Sequence, residues 1–125
     1  MKEHKGTVLV VEDQRSVRQL AVNVLRQHGY RVLEAPDGSR AMEIASSEGA
    51  HLELLLTDVV LPGINGEELA RILRAEHPDL RVIFMSGYEE DELTGRGIGG
   101  VGAAYITKPF TADVLTMMVA GAMGD

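Results

Sequence analysis

Five residues of this chain could handle a charged group, and each directly follows a short apolar run. Glu12 and Asp13 come after TVLVV, Asp58 after LELLLT, Ser86 after RVIFM, and Lys108 after AAYIT. Three carboxylates brought together raise each other's pKa values unless a cation sits among them. Oxygen donors without nitrogen or sulfur suit Mg²⁺, which keeps several waters and bridges a carboxylate to a phosphoryl oxygen. Lys108 adds a fixed positive charge and Ser86 a hydroxyl donor, and such a set stabilises a phosphoryl group whose charge is spread over three oxygens. An aspartate can itself be the nucleophile and form an acyl phosphate. Asp58 is the candidate, because its run predicts a deep, central and rigid strand. Taken singly, each residue has a plainer reading. Glu12-Asp13 could cap a helix, where anions are favoured, and Asp58 and Ser86 could be turn residues. Lys108 could be solvated.

The elements that must position these residues are legible as alternating periods. Strand-length runs occur at Thr7–Val11, Arg31–Ala35, Leu52–Thr57, Arg81–Met85 and Ala103–Thr107. The first, third and fourth are nearly continuous in apolar residues, the mark of strands covered on both faces. Helical stripes lie between them: Val17, Leu20, Ala21, Val24 and Leu25, then Leu69, Ile72 and Leu73, and last Val114, Leu115, Met118 and Ala122. Gly29 ends the first helix, Asp37-Gly38 opens the second and Pro78 closes the third. The pattern predicts one α/β domain over residues 1–125, a (βα)5 doubly wound, flavodoxin-like fold with a parallel five-stranded sheet in order 2-1-3-4-5. Ligands of such sheets bind beyond the carboxyl ends of the strands. In that order the four strands followed by the polar residues are neighbours. Strand 2, which runs into Ala35-Pro36-Asp37, is the edge.

GRGIGG at Gly95–Gly100 satisfies G-x-G-x-x-G, yet its context does not suit a dinucleotide. Nine residues, Ser86–Thr94, separate it from the preceding strand, and a short strand follows it instead of a helix. The plainer reading is a fourth helix that frays early, each interior Gly costing about 1 kcal/mol relative to Ala. A net charge of −7 argues against nucleic acid. No apolar run reaches the roughly 18 residues of a membrane span, so no membrane contact is expected of this domain. The absence of cysteine suits a cytoplasmic location. His4, His28, His51 and His77 are scattered without ligand spacing and are expected at the surface, and the methionines of the last segment are expected to pack rather than bind.

Over essentially its whole length the chain resembles the receiver domains of two-component response regulators. The resemblance is carried by VVED at Val10–Asp13, LLLTDVVLPGINGEELA at Leu54–Ala70, MSGY at Met85–Tyr88 and YITKPF at Tyr105–Phe110. It implies that Asp58 is phosphorylated from the phosphohistidine of a histidine kinase or histidine phosphotransfer domain. It further implies that Glu12 and Asp13 hold Mg²⁺ together with Asp58 and the backbone carbonyl of Val60. Ser86 would swing to the phosphoryl oxygen, Lys108 would pair with the product, and Tyr105 would follow as an aromatic switch, although plain core packing is its other reading. A cis bond at Lys108-Pro109 would aim the lysine inward. The wording LPGINGEELA and FMSGYEEDEL looks most like receivers of hybrid sensor histidine kinases. On this reading the chain is a signalling phosphoacceptor rather than an enzyme with an external substrate, although it catalyses its own phosphorylation and dephosphorylation. Val60 and Tyr88 would flank the path of the attacking water and suggest slow self-dephosphorylation.

Rival classes fit less well. A haloacid-type phosphatase wants a second Asp two residues on, where Val60 stands, and an FMN binder would find Glu12 and Asp13 repelling its phosphate. A pseudo-receiver acting only as a docking module usually lacks an acid or the lysine, and all are present here. The glycine-rich stretch Gly95–Gly102 departs from the family's firmer fourth helix. That puts in doubt ordinary output through the face of the fourth helix, fifth strand and last helix, while a weak homodimer stays among the partners the resemblance implies.

Overall fold

In the computed structural model, which describes residues 5–48, 51–87 and 103–125, five parallel strands form one sheet in the order β2-β1-β3-β4-β5. In chain order the elements are β1 (Thr7–Val11), α1 (Arg15–Gln27), β2 (Arg31–Ala35), α2 (Gly38–Glu48), β3 (Leu52–Asp58), α3 (Gly66–Glu76), β4 (Arg81–Ser86), β5 (Ala103–Thr107) and α4 (Ala112–Met123). The expected strand order is thus observed. Any helix between β4 and β5, including the fraying expected at Gly95–Gly100, lies outside the described residues.

The strands sort by exposure as their sequences require. Every residue of β1 is buried, and β3 and β4 each leave a single residue less than fully covered. The edge strands β2 and β5 are only partly covered. Alternation along β1 feeds two cores. Val8 and Val10 join Ala21, Val22 and Leu25 of α1 and Leu115 and Val119 of α4 on one face. Leu9 and Val11 join Ala41, Ala45, Leu69 and Leu73 of α2 and α3 on the other.

Helix boundaries follow capping chemistry. Asn65 accepts the Glu68 amide at 2.8 Å, with Glu67 and Glu68 in the first turn of α3. Thr111 accepts the Val114 amide at 3.2 Å, and Gly124 closes α4 at φ +76°, where a side chain would be strained. Asp37 accepts the Arg40 amide at 2.8 Å at the start of α2. The end of α4 is tied back to the sheet's other end, because the Tyr30 hydroxyl donates to Asp125 Oδ2 at 2.7 Å.

Three expectations about helix faces need correction. Leu20, assigned to the apolar stripe of α1, is 44% exposed, while the unassigned Val22 is fully buried. Val114 of α4 is likewise exposed and Val119 takes its place in the core. Of the methionines, Met118 and Met123 do pack against the core, but Met117 is 68% exposed. His28 and His51 are at the surface as expected, His77 is half-buried, and His4 lies outside the described residues.

Candidate functional site

The sheet's carboxyl edge is level. Val11 pairs with Thr57, Asp58 with Met85, and Ser86 with Thr107. Strands β3 and β4 each run one residue further than expected, so Asp58 and Ser86 are the last residues of their strands. Backbone bonds carry the ladder beyond the edge: Glu12 donates to the Ala35 carbonyl at 3.1 Å, and Lys108 donates to the Ser86 carbonyl at 2.7 Å. Glu12, Asp13, Asp58, Ser86 and Lys108 are therefore delivered by rigid backbone to one row, as the strand order predicted.

Three of these residues converge closely. One carboxylate oxygen each from Glu12, Asp13 and Asp58 lies within 4.8 Å of the others. Glu12 is fully buried and Asp58 is 3% exposed, whereas Asp13 faces solvent. Lys108 Nζ donates to Asp58 Oδ2 at 2.9 Å and to Glu12 Oε1 at 3.1 Å. The backbone amide of Gln14 donates to Glu12 Oε2 at 2.9 Å. Burial pushes the Glu12 carboxyl up to about 7, helped by Asp13 and the charge of Asp58, while the Gln14 amide and Lys108 pull it back. Burial alone would lower the Lys108 ammonium, but its bonds to Asp58 and Glu12 outweigh that and hold it above its ordinary value.

An all-oxygen donor set with one open, solvent-facing acid fits a hard divalent cation such as Mg²⁺. Val60, expected to lend its carbonyl, follows β3 at the mouth of the site and is 51% exposed. Ser86 is fully buried at the end of β4. Tyr105 stands on β5, half-buried, its ring stacked on Phe84 with centroids 5.5 Å apart. Burial, with a contribution from Glu67, raises the Tyr105 hydroxyl. The Lys108-Pro109 peptide is cis, as expected. Tyr88 lies outside the described residues.

Three supports went unread in the sequence. Gly66, the first residue of α3, lies so close to the site backbone that a Cβ there would stand 2.0 Å from the Asp58 carbonyl oxygen. The Thr57 hydroxyl donates to that same oxygen at 3.0 Å. Arg18, a polar residue that is not part of the apolar stripe of α1, donates through Nη1 to the Glu12 carbonyl at 2.8 Å. A basic residue one turn into the helix that follows an acidic pair is the signal that could have found it.

A buried aspartate at the end of a central strand stands beside two further acids and a lysine on a doubly wound α/β fold. The family model described as "Response regulator receiver domain" matches residues 8–120, and the chain belongs to that family. It is 39% identical over 114 residues to the sensor kinase CckA of Brucella abortus, a match covering 91% of this chain and 12% of that protein. It is 38% identical over 112 residues to the aerobic respiration control protein ArcA of Escherichia coli, covering 88% of this chain and 45% of that protein. The crystal structure of the receiver domain of the hybrid histidine kinase CckA superposes with a TM-score of 0.80 at 33% identity, covering 94% of this chain and 99% of that one. The chain is thus a phosphoacceptor receiver domain of two-component signal transduction, and domains of this family take their phosphoryl group from histidine kinases or phosphotransfer domains. It spans less than half the length of either full protein named here.

Proposed function

We propose that Asp58 is the phosphoacceptor and that a phosphohistidine donor transfers to it within this site. The single observation that carries the assignment is the Lys108 ammonium 2.9 Å from Asp58 Oδ2, amid three convergent carboxylates. A carboxylate oxygen of Asp58 attacks phosphorus as the histidine nitrogen–phosphorus bond breaks, leaving an acyl phosphate on Asp58 and, because the other ring nitrogen of the donor carries a proton, a neutral imidazole. Glu12, Asp13, Asp58 and the Val60 carbonyl would hold Mg²⁺. The ion would neutralise charge on the phosphoryl oxygens during transfer. Lys108, already bonded to Asp58, stays with the product. Such a charge pair is worth about 4 kcal/mol at an effective dielectric near 20, against about 1 in water.

Ser86 then moves to the phosphoryl group and Tyr105 turns inward behind it, which shifts an existing equilibrium between two conformations. In the position described the Tyr105 ring is half-buried and stacked on Phe84. Water hydrolyses the acyl phosphate and resets the switch, slowly because Val60 shields its approach. Residues 1–125 act here as one receiver domain, working in the cytoplasm beside its kinase, and similarity to the CckA receiver supports a place in a hybrid kinase. Any weak self-association would use the β5–α4 face, where Met117 is exposed. Among the described residues no helix is long and apolar enough to cross a membrane.

The test is intact-mass spectrometry after incubation with acetyl phosphate, with and without Mg²⁺, beside Asp58→Asn. The wild type should gain one phosphoryl group only with Mg²⁺, and the variant none. No gain in a folded wild type would leave only the reading as a docking module.

A further inference from the structure

Arg18 has a polar position in the α1 pattern, yet its side chain is only 14% exposed. Its guanidinium works in two directions. Nη1 donates to the backbone carbonyl of Glu12 at 2.8 Å, and Nε donates to Glu34 Oε1 at 3.1 Å. Gln19 Nε2 donates to that same Glu34 oxygen at 2.8 Å. Glu34 stands on the edge strand β2, opposite Val10 of β1. Both backbone groups of Glu12 are consequently fixed: its amide by the Ala35 carbonyl and its carbonyl by Arg18. The carbonyl of Glu12 belongs to the planar peptide that ends on the Asp13 Cα, so fixing that carbonyl fixes the plane about which Asp13 turns and narrows the directions its side chain can take. Asp13 is the solvent-facing member of the carboxylate cluster, and surrounding packing does little to aim it.

We propose that Arg18, braced by Glu34 and Gln19, is a positioning residue that holds the Glu12-Asp13 peptide so that Asp13 is aimed at the cation before the cation arrives. This rests on the reading of Asp13 as a Mg²⁺ ligand, and extends it to three residues outside the carboxylate cluster. Arginine suits the task because its planar fork offers two acceptors fixed donors at once, which a lysine ammonium on a flexible stem does not. Simple charge makes the opposite prediction. A cation beside a divalent-cation site repels the ion, so removing Arg18 would tighten binding if charge were all that mattered. The sign of the effect decides.

The experiment is an amide-resonance titration with Mg²⁺ of the 1–125 chain, in wild type, Arg18→Lys, Arg18→Gln and Glu34→Gln, with thermal melts of each. Both Arg18 variants should bind Mg²⁺ about tenfold more weakly, the lower end of the loss when an outer partner of a metal ligand is removed. They should also displace the Asp13 amide resonance before any metal is added. Glu34→Gln, which keeps an acceptor oxygen for the guanidinium, should lose less than either. Should Arg18→Gln not fold, Arg18→Lys, which keeps the charge and the stem, decides alone. An Arg18 variant with unchanged or tighter Mg²⁺ binding and an unmoved Asp13 resonance overturns the clamp, even if it melts lower. A wild type that binds no Mg²⁺ overturns the ligand reading of Asp13 and the clamp with it, and that outcome is visible without any variant.

Discussion

Two buried acids share one ammonium in this site, since Lys108 donates to both Asp58 and Glu12. Each acid alone in the interior would be costly to ionise, and together they repel, so the lysine does more than await a phosphoryl group. Without it, burial and the charge of Asp58 would be left to push Glu12 further up, opposed only by the Gln14 amide. Lys108→Ala should therefore destabilise the metal-free chain by about 3 kcal/mol, the lower end of the loss when a buried ion pair is broken from one side. Mg²⁺ should restore part of that loss, because an ion bound only by the folded state stabilises it by mass action. Denaturant unfolding in chelator and in Mg²⁺ checks both statements. A variant as stable as wild type in chelator would mean that the acids are held by something other than the ammonium.

At the scale of elements, the site depends on how closely α3 meets the end of β3. Gly66 is where that approach is tightest, and its amide also donates to the Val59 carbonyl at 2.9 Å. Gly66→Ala must force the first turn of α3 away from Asp58. It should cost about 3 kcal/mol, toward the upper end of overpacking. What remains folded should accept phosphoryl groups poorly, because Asp58 moves with its backbone. Denaturant midpoints and acetyl-phosphate labelling read the two effects separately. The glycine was visible inside LPGINGEELA, but its reason was not, since the atom it avoids lies eight residues back in sequence and is brought there only by the fold. The three central strands were legible because burial on two faces leaves no polar alternation to misread. The helix faces were less so. At about 100° per residue, Leu20 and Val22 fall on opposite margins of the α1 stripe, and only the packing of α1 on β1 and beside α4 turns the face toward Val22. Arg18 was passed over for a related reason: polarity along a helix indicates solvent, whereas this guanidinium finds its partners on the loop before the helix and on β2.

Across the whole molecule, charge and apolar surface are separated in a way that bears on the donor's approach. The chain carries a net charge of −7, yet beside the acidic site runs an apolar groove of about 290 Å³ lined by Gln14, Val17, Leu20, Lys108, Pro109 and Phe110. Lys108 is common to the groove and to the Asp58 site, so a partner seated along α1 has its reactive group close to the acceptor. The exposure of Leu20 that contradicted the helical stripe thus has a use. A small donor such as acetyl phosphate needs no such surface, whereas a donor domain that carries its phosphohistidine would gain from one. Leu20→Asp should leave labelling by acetyl phosphate within twofold of wild type. It should weaken transfer from a phosphotransfer domain that phosphorylates the wild type by about tenfold, because losing one leucine's burial costs about 1.5 kcal/mol. The loss should appear in the donor concentration needed for half-maximal rate and not in the rate at saturation, since no group in the reacting centre has changed. Equal loss with both donors would mean that the substitution had disturbed the site itself. No loss with either would place the docking surface elsewhere on the molecule.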